Sequence, residues 1–439
     1  LCAMKENNEN KTIILGAGVA GLTAAYELLK HSDIKPVIIE KDTIPGGICR
    51  NITFQGNIAD LGGHRFYSSE NTVIDWLNNE FEFIEKEDTR LETAEKAMIL
   101  NKTKIHLVFN KKIFGYPIKL NYKTIKNLGL KNMTKVLLSY LAAKIKPIKP
   151  ELSVEDFFIN NFGRELYKTF FENYTEKVWG LPCSELHPKL ISKRVENVPI
   201  LKTLLLNIMD VFEDKKKITE KDLNTGAGFL YPKYGPGQFS NHLAEKVVAE
   251  GGVLLYNHVP EQLLMEKEKI IKISVRNLDS GELITFNPNN VISSIPIPDL
   301  FSLLKNVSIS ADIHAIINNL RYRDYIMVCF LFDRPKENSV LIEKIKGDQW
   351  VYIHDTTLKL CRIQIFNNWS RFLVYDPTKI WMGFEYFCNK GDDFWNKTDK
   401  EIIDFTRKEI KELDLIPDGN IIYGTLIRME KNYPIYSCK

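Results

Sequence analysis

Apolar and polar positions follow different rhythms along the chain, and each rhythm predicts a different element. At residues 11–50, "KTIILGAGVAGLTAAYELLKHSDIKPVIIEKDTIPGGICR", the run 12–15 is short and rich in β-branched residues. That predicts a buried parallel strand. A glycine-rich turn follows. The spacing of Leu22, Ala25, Leu28 and Leu29 then predicts a helix over 21–30 with those residues inward. Residues 36–39 read as a second strand, and Glu40 ends it, 24 residues after Gly16.

From about 71 to 220 the pattern is largely helical, with apolar stripes in "VIDWLNNEF" and "NMTKVLLSYLAAKI". Ser153, three residues before Asp156, predicts a capped helix start. Residues 229–263 return to an α/β pattern with a turn, a helix and a strand over 253–257, and "NNVISSIP" reads as another buried strand. Between about 321 and 387 the segments alternate, as in "YIMVCFLFD" and "IWMGFEYFC". The expected fold class is α/β, with a Rossmann-like dinucleotide domain built from discontinuous pieces and an inserted α+β substrate domain. The expected boundaries are 1–80, 225–300 and 415–439 for the dinucleotide domain, and 81–224 and 301–414 for the substrate domain. "LLSYLAAKIKPIKP" (137–150) is basic and apolar. A membrane-surface helix would look so, but an ordinary amphipathic helix with a basic exit explains it better.

Gly16, Gly18 and Gly21 stand in G-x-G-x-x-G spacing, with Ala20 inside the turn. Such a turn must be tight, approach a phosphate closely and let the helix pack near the strand, and a Cβ obstructs each requirement. The helix start favours a pyrophosphate. Glu40, followed by Lys41, can accept hydrogen bonds from both ribose hydroxyls, and an acid there argues against the 2′-phosphate of NADP. The pair Gly46–Gly47 lets a second loop lie against the dinucleotide. Arg50 either faces a phosphate or is a solvated loop cation. Residues 60–69, "DLGGHRFYSS", read as a loop facing the cofactor.

Composition narrows the class. The chain has 439 residues and 44% hydrophobic content, enough for two large domains. Its 59 basic and 56 acidic residues give a net charge of +3, which argues against nucleic acid as a partner. The seven cysteines (Cys2, Cys49, Cys183, Cys329, Cys361, Cys388, Cys438) form no C-x-x-C pair. That usage fits a reducing cytosol and no metal site. No apolar run reaches the ~20 residues of a membrane span, and the polar "KENNEN" is no signal peptide. The chain begins at Leu1, and Met4 is a candidate natural start. A cytoplasmic location is expected.

The strand, glycines, helix, second strand, acid and glycine pair together resemble FAD-binding proteins of the flavin amine oxidase, protoporphyrinogen oxidase and UDP-galactopyranose mutase superfamily. "NYTEKVWG" (173–180) is similar to the Y-T-x-K-x-W signature of the mutases and of amine-oxidase-like proteins of polysaccharide gene clusters. The resemblance implies FAD as cofactor. It implies that Tyr174 and Trp179 lie toward the uridine end of a substrate, and that Arg194 and Arg362, the latter in "CRIQIF", hold its diphosphate. Bidentate guanidinium forks suit that task. It nominates Gly63 and His64 in "GGHRFYSS" beside the flavin, and Val259 beside the adenine. The residues alone keep plainer readings open. Tyr174 and Trp179 could be core aromatics, Arg194 a solvated cation, and His64 a structural histidine.

Two departures qualify the resemblance. Phe394 and Trp395 stand in "GDDFW" where mutases carry a tyrosine pair. The superfamily's closing glycine-rich segment and helix are absent after "RMEKNYPIY", with 11 residues left after Arg428. A longer natural chain or weak FAD binding is expected from that. The implied functions are a mutase reaction on a UDP-sugar without net redox change, an oxidase or desaturase reaction on another substrate, or a catalytically silent, truncated flavoprotein. A plain NAD dehydrogenase would leave Gly46–Gly47 and "NYTEKVWG" unexplained. Neither an H-E-x-x-H nor a G-x-S-x-G motif is present.

Overall fold

A computed structural model describes residues 11–116, 118, 122–191, 223, 228–333, 345, 347–413 and 421–438. The chain divides into two compact units. The first comprises 1–53, 58–65 and 231–320; the second comprises 54–57, 66–230 and 321–439.

The first unit is built on a parallel four-stranded sheet in the order Val253–Leu255, Val37–Ile39, Thr12–Leu15, Asn290–Ser293. Thr12–Leu15 is buried throughout, as a parallel strand covered on both faces must be. Helix Val19–His31 follows the glycine turn and lies beside helix Pro236–Ala249. A second sheet pairs His258–Glu266, Lys269–Asn277 and Leu283–Phe286 antiparallel, with Leu304–Lys305 at its edge. Ile13, Leu15, Val37 and Ile39 of the first sheet share one core with Leu263, Ile273, Val275 and Phe286 of the second. The Rossmann-like α/β architecture expected from the sequence is therefore present.

The second unit carries a seven-stranded sheet: Ile421–Ile435, Arg321–Asp333, Lys379–Cys388, Arg362–Ile365, Trp350–Ile353, Ile105–Phe109, Lys112–Gly115. Period-two alternation gives it two distinct faces. Ile326, Val328, Phe330, Ile363, Val351 and Phe384 form one face, in the core that includes Ile402, Ile410 and Leu413 of helix Asp399–Leu413. The residues between them, Tyr325, Met327, Arg362, Gln364, Tyr352 and Glu385, belong to the other face. There the helices Val154–Phe162 and Glu172–Trp179 share a core with Leu107, Phe114 and Tyr352. Ser153 caps Val154–Phe162 in a complete capping box with Asp156, as its spacing predicted.

Several boundaries differ from the sequence reading. Residues 81–115 hold four strands, Glu82–Glu85, Ala97–Lys102, Ile105–Phe109 and Lys112–Gly115, where a helical pattern was expected. The last two are joined by Asn110 and Lys111, both at positive φ, in the left-handed conformation that tight hairpins require. Residues 415–439 were expected in the dinucleotide domain. Strand Ile421–Ile435 instead pairs along Arg321–Asp333, satisfying that strand's outer backbone groups. Residues 301–320 were expected in the substrate domain, yet Leu304–Lys305 pairs with Leu263 and Leu264 in the first unit. Helix Asn71–Glu80 falls in the second unit rather than the first. Residues 192–222 of the expected helical stretch lie outside the described residues. Among the described residues no helix is long and apolar enough to cross a membrane.

Candidate functional site

The glycine turn of the first unit is a cradle with one deliberate opening. Gly16 sits at φ +98°, and a Cβ there would meet Ser294 Oγ at 2.7 Å. A Cβ on Gly21 would stand 2.0 Å from the Gly16 carbonyl oxygen, so the helix can approach the turn only without a side chain. Gly18 is different, because nothing lies within 4 Å of its missing Cβ. It N-caps helix Val19–His31 without a side-chain hydrogen bond, and the first turn holds no acid. The helix thus offers uncapped amides and a positive dipole end to open space, as a pyrophosphate requires. Ala20 is exposed at this end.

Glu40 is buried and organises the turn from the next strand. Its carboxylate accepts from Ala17 N at 2.7 Å and from Asp42 N at 2.9 Å. Each oxygen retains a second lone pair for a ribose hydroxyl. The His258 amide donates to the Glu40 carbonyl at 2.9 Å, which places Val259 one residue from this contact. Lys41 is exposed. Gly46 donates to the Ala17 carbonyl at 2.8 Å and bridges to Gly18. A Cβ on Gly47 would stand 3.4 Å from Gly18 Cα, so the second loop does lie on the first. Arg50 is half-buried in this loop. It pairs with Asp42 at 3.0 Å and donates to the Gly47 carbonyl at 2.9 Å, bracing the loop. These residues fit the ADP half of a dinucleotide, a half that FAD and NAD share.

His64 follows Gly63, which sits at φ +68°. Its backbone amide and Nδ1 both bind Asp60, at 2.7 and 2.6 Å, and Asp60 is fully buried. Burial alone disfavours the imidazolium, but the Asp60 carboxylate overrides it through charge and hydrogen bond. With Cys49 adding to the effect, His64 is held well above the usual 6.5. A raised folded value means that the stabilisation from His64 is complete below its unfolded value of about 6.5. It is lost as pH rises through the folded value. Urea midpoints measured from pH 6 upward should therefore fall on the alkaline side in the wild type, and this fall should be absent in His64→Gln.

In the second unit Arg362 and Glu385 stand directly opposite each other on neighbouring strands. Arg362 Nε donates to Glu385 Oε2, and Gln364 Nε2 donates to Glu385 Oε1 at 2.5 Å. Glu385 is fully buried, and the Arg362 side chain is 15% exposed. Burial opposes the charge on Arg362, yet Glu385 and the surrounding tyrosine oxygens keep its affinity for the proton well above normal. Tyr174 comes within Coulombic reach of Arg362. Its ring stacks on His354 at 4.2 Å and 5°, and meets Tyr352 edge-on at 5.5 Å. His354 Nδ1 donates to the Phe170 carbonyl at 2.6 Å, and burial lowers its pKa to about 3, so the ring is neutral. His354 Nε2, Gln364 Oε1 and Tyr325 Oη are buried without a protein partner. Buried polar atoms left without a partner, two of them on residues flanking Arg362 and one on the ring stacked with Tyr174, are where an ordered water or a polar ligand would be accommodated.

Of the nominated substrate residues, the structure brings Tyr174 and Arg362 together. Trp179 packs in the helical core, edge-on to Tyr433 at 6.1 Å. Arg194 lies outside the described residues. Lys177 of the same motif proves structural, since its ammonium reaches the carbonyls of Ile353, Asp355, Leu358 and Leu360 at 2.9–3.1 Å. Arg323 closes the helix end by donating to Val178 O at 3.0 Å and Asn389 Oδ1 at 2.6 Å. Phe394 is a core residue against Tyr386 and Phe405. Sequence reasoning missed Glu385, Gln364, His354, Asp60 and Arg323. Only the polar interruptions of apolar strands, as in "MGFEYF" and "CRIQIF", signalled the first two. Among the described residues no group of three or more His, Cys, Asp or Glu could hold a metal ion.

Comparison with known proteins agrees with the Rossmann-like architecture. Residues 14–79 match the model of an NAD(P)-binding Rossmann-like domain. A probable UDP-galactopyranose mutase of Klebsiella pneumoniae is 28% identical over 43% of this chain and 45% of its own length. A dTDP-fucopyranose mutase of Escherichia coli is 28% identical over 42% and 46%. The mitochondrial protoporphyrinogen oxidase of Nicotiana tabacum is 28% identical over 37% and 31%. The chain thus spans less than half the length of the curated relatives it matches. A crystal structure of reduced UDP-galactopyranose mutase superposes with a TM-score of 0.77 at 19% identity, covering 98% of this chain and 84% of that one. A putrescine oxidase variant superposes at 0.57 with 13% identity, over 95% and 84%. At those identities the likeness is one of fold. The chain therefore contains an NAD(P)-binding Rossmann-like domain, and its homologues are nucleotide-sugar mutases and protoporphyrinogen oxidases.

Proposed function

We propose that this protein is an FAD-dependent enzyme acting on a nucleotide sugar, in the manner of a pyranose mutase. The observation that carries the cofactor half is the cradle: an open Gly18, uncapped helix amides, a buried Glu40 and a second loop resting on the first. Glu40 would hold the ribose, the amides after Gly18 would hold the pyrophosphate, and Val259 would lie beside the adenine. Bound flavin would supply the redox or covalent chemistry at the sugar. Arg362 would grip a phosphate of the substrate, with Tyr174 and His354 presenting a flat stacked face. The names of the mutase relatives and the "NYTEKVWG" resemblance support a nucleotide sugar. A second reading, an amine oxidase or desaturase type of oxidation, is favoured by Glu385. A buried carboxylate against Arg362 weakens that arginine's pull on a diphosphate.

The test is an FAD titration followed by absorption. The wild type should bind one flavin per chain. Gly18→Ala should keep the wild-type melting curve, because nothing crowds its Cβ, yet lose affinity by about tenfold or more as the methyl enters the pyrophosphate's space. A UDP-sugar at millimolar concentration should then perturb reduced-flavin fluorescence. A flavin-loaded protein blind to UDP-sugars would discard the mutase reading and leave the oxidase one.

A further inference from the structure

Helix Leu130–Ile145 of the second unit has two apolar sides, and only one is covered. On the covered side Val136, Tyr140 and Ala143 are buried, Val136 and Ala143 in the core shared with Phe157 and Phe162 of the following helix. The fit there is close. A Cβ on Gly163 would stand 2.6 Å from the Tyr140 amide nitrogen, and Ser139 Oγ accepts from the Glu165 amide at 3.1 Å. Asn160 ties down the helix exit by exchanging hydrogen bonds with the Ile148 backbone at 2.8 and 3.0 Å. The other side carries Leu130, Leu137, Leu138, Leu141 and Ile145, which are 48–85% exposed. At helical spacing these five fall within an arc of about 100°, the width of a face that packs against something. The plainer reading of 137–150, an ordinary amphipathic helix, accounts for the first side alone. Lysines edge the bare stripe. Around the helix Lys131 and Lys135 follow Leu138 on one side, and Lys144 precedes Leu137 on the other. Lys144 Nζ donates to the Asn160 carbonyl at 2.9 Å, whereas Lys131 and Lys135 stand exposed. Residues 101–150 hold twelve lysines and no acid, so the rest of this chain of net charge +3 is net acidic. Each of those lysines whose burial is described is exposed.

We propose that helix Leu130–Ile145 docks this protein on an anionic lipid bilayer, its bare leucine stripe entering the boundary between headgroups and acyl chains while the flanking lysines meet the lipid phosphates. Lysine suits that border, because its apolar stem lies along the stripe and lifts the ammonium into the headgroups. The helix has 16 residues, short of the ~20 needed to span, so it rests on the bilayer rather than crossing it. A second copy of this chain is a poorer occupant, since a two-fold contact through this face would set like charges against each other. A nucleic acid would use the lysines and leave the leucines in water. The attachment does not depend on the flavin or the nucleotide-sugar reading.

The experiment is co-sedimentation of the full chain with vesicles of phosphatidylcholine alone, and of phosphatidylcholine with an equal part of phosphatidylglycerol. The wild type should partition onto the anionic vesicles about tenfold or more tightly than onto the neutral ones, and the preference should shrink as salt is raised. Leu137→Gln combined with Leu141→Gln keeps helix-forming residues at two exposed positions, so the melting curve should not move. Partition onto the anionic vesicles should nevertheless fall by about tenfold or more. Lys131→Glu combined with Lys135→Glu should lower it at least as far and erase the preference for anionic lipid. Equal partition onto both kinds of vesicle, or a leucine variant that binds as well as the wild type, would overturn the proposal. If residues 192–222 cover the stripe, the wild type would not sediment and the leucine variant would melt lower, and the proposal would fall. Self-association lost in the leucine variant, without vesicle binding, would give the face to a second copy and overturn it equally.

Discussion

Arg362→Leu should destabilise the protein by about 3–5 kcal/mol, read as a drop in the urea midpoint. Attraction between the two charges is not the main reason. Glu385 has no exposed surface at all, and Gln364 alone would remain to meet a buried anion. A carboxylate so placed must either stay charged at high cost or take up a proton, and both routes weaken the fold. Two companions separate the causes. Glu385→Gln in the Arg362→Leu background removes the stranded charge and should recover a large part of the loss. Arg362→Lys keeps the charge but cannot reproduce the fork, so it should fold better than Arg362→Leu while still failing to hold a phosphate-bearing ligand. A loss below about 1 kcal/mol for Arg362→Leu would show that water reaches Glu385 and that the pair behaves as a surface ion pair.

Lys177→Met should be nearly as damaging, at about 3 kcal/mol or more. Met reproduces the unbranched stem as far as Cε and is one atom shorter, so the stem's packing is largely kept, but four carbonyls lose a shared donor. An ammonium has three protons, so the four oxygens already divide three hydrogen bonds among themselves. No other donor among the described contacts serves this group. The carbonyls belong to 353–360, the segment that begins with Ile353 and His354 and so carries the ring stacked on Tyr174. Hydrogen exchange should therefore accelerate first at 353–361, and near-UV circular dichroism should report the loosened aromatic stack. Exchange unchanged in that segment would mean that Glu409, which accepts from the Lys359 and Leu360 amides, holds it unaided.

The nucleotide-binding element of the first fifty residues was legible because its signature residues lie close together in the sequence. The turn and the helix are set largely by neighbours a few positions away: Gly21 is required by its contact with the Gly16 carbonyl and Gly16 by its positive φ, although a Cβ on Gly16 would also meet Ser294, far along the chain. Glu40 was recognisable by its distance from the turn, and the unbroken apolar run of "YIMVCFLFD" announced a strand wherever that strand would pair. Pairing itself was another matter. Whether 421–435 joined the dinucleotide domain or the large sheet depended on which open edge it met, and Arg321–Asp333 supplied one. Glu385 gained its meaning only from register, because a shift of one residue would turn it away from Arg362. Lys177 looked like part of a substrate signature, and its true partners lie some 180 positions downstream. The sequence by itself determined the nucleotide-binding element and the strands' inward and outward faces, since both follow from backbone geometry and near neighbours. Only the tertiary structure decided which buried charges compensate one another, because a charge's partner is chosen by proximity in the folded chain and by the absence of water around it.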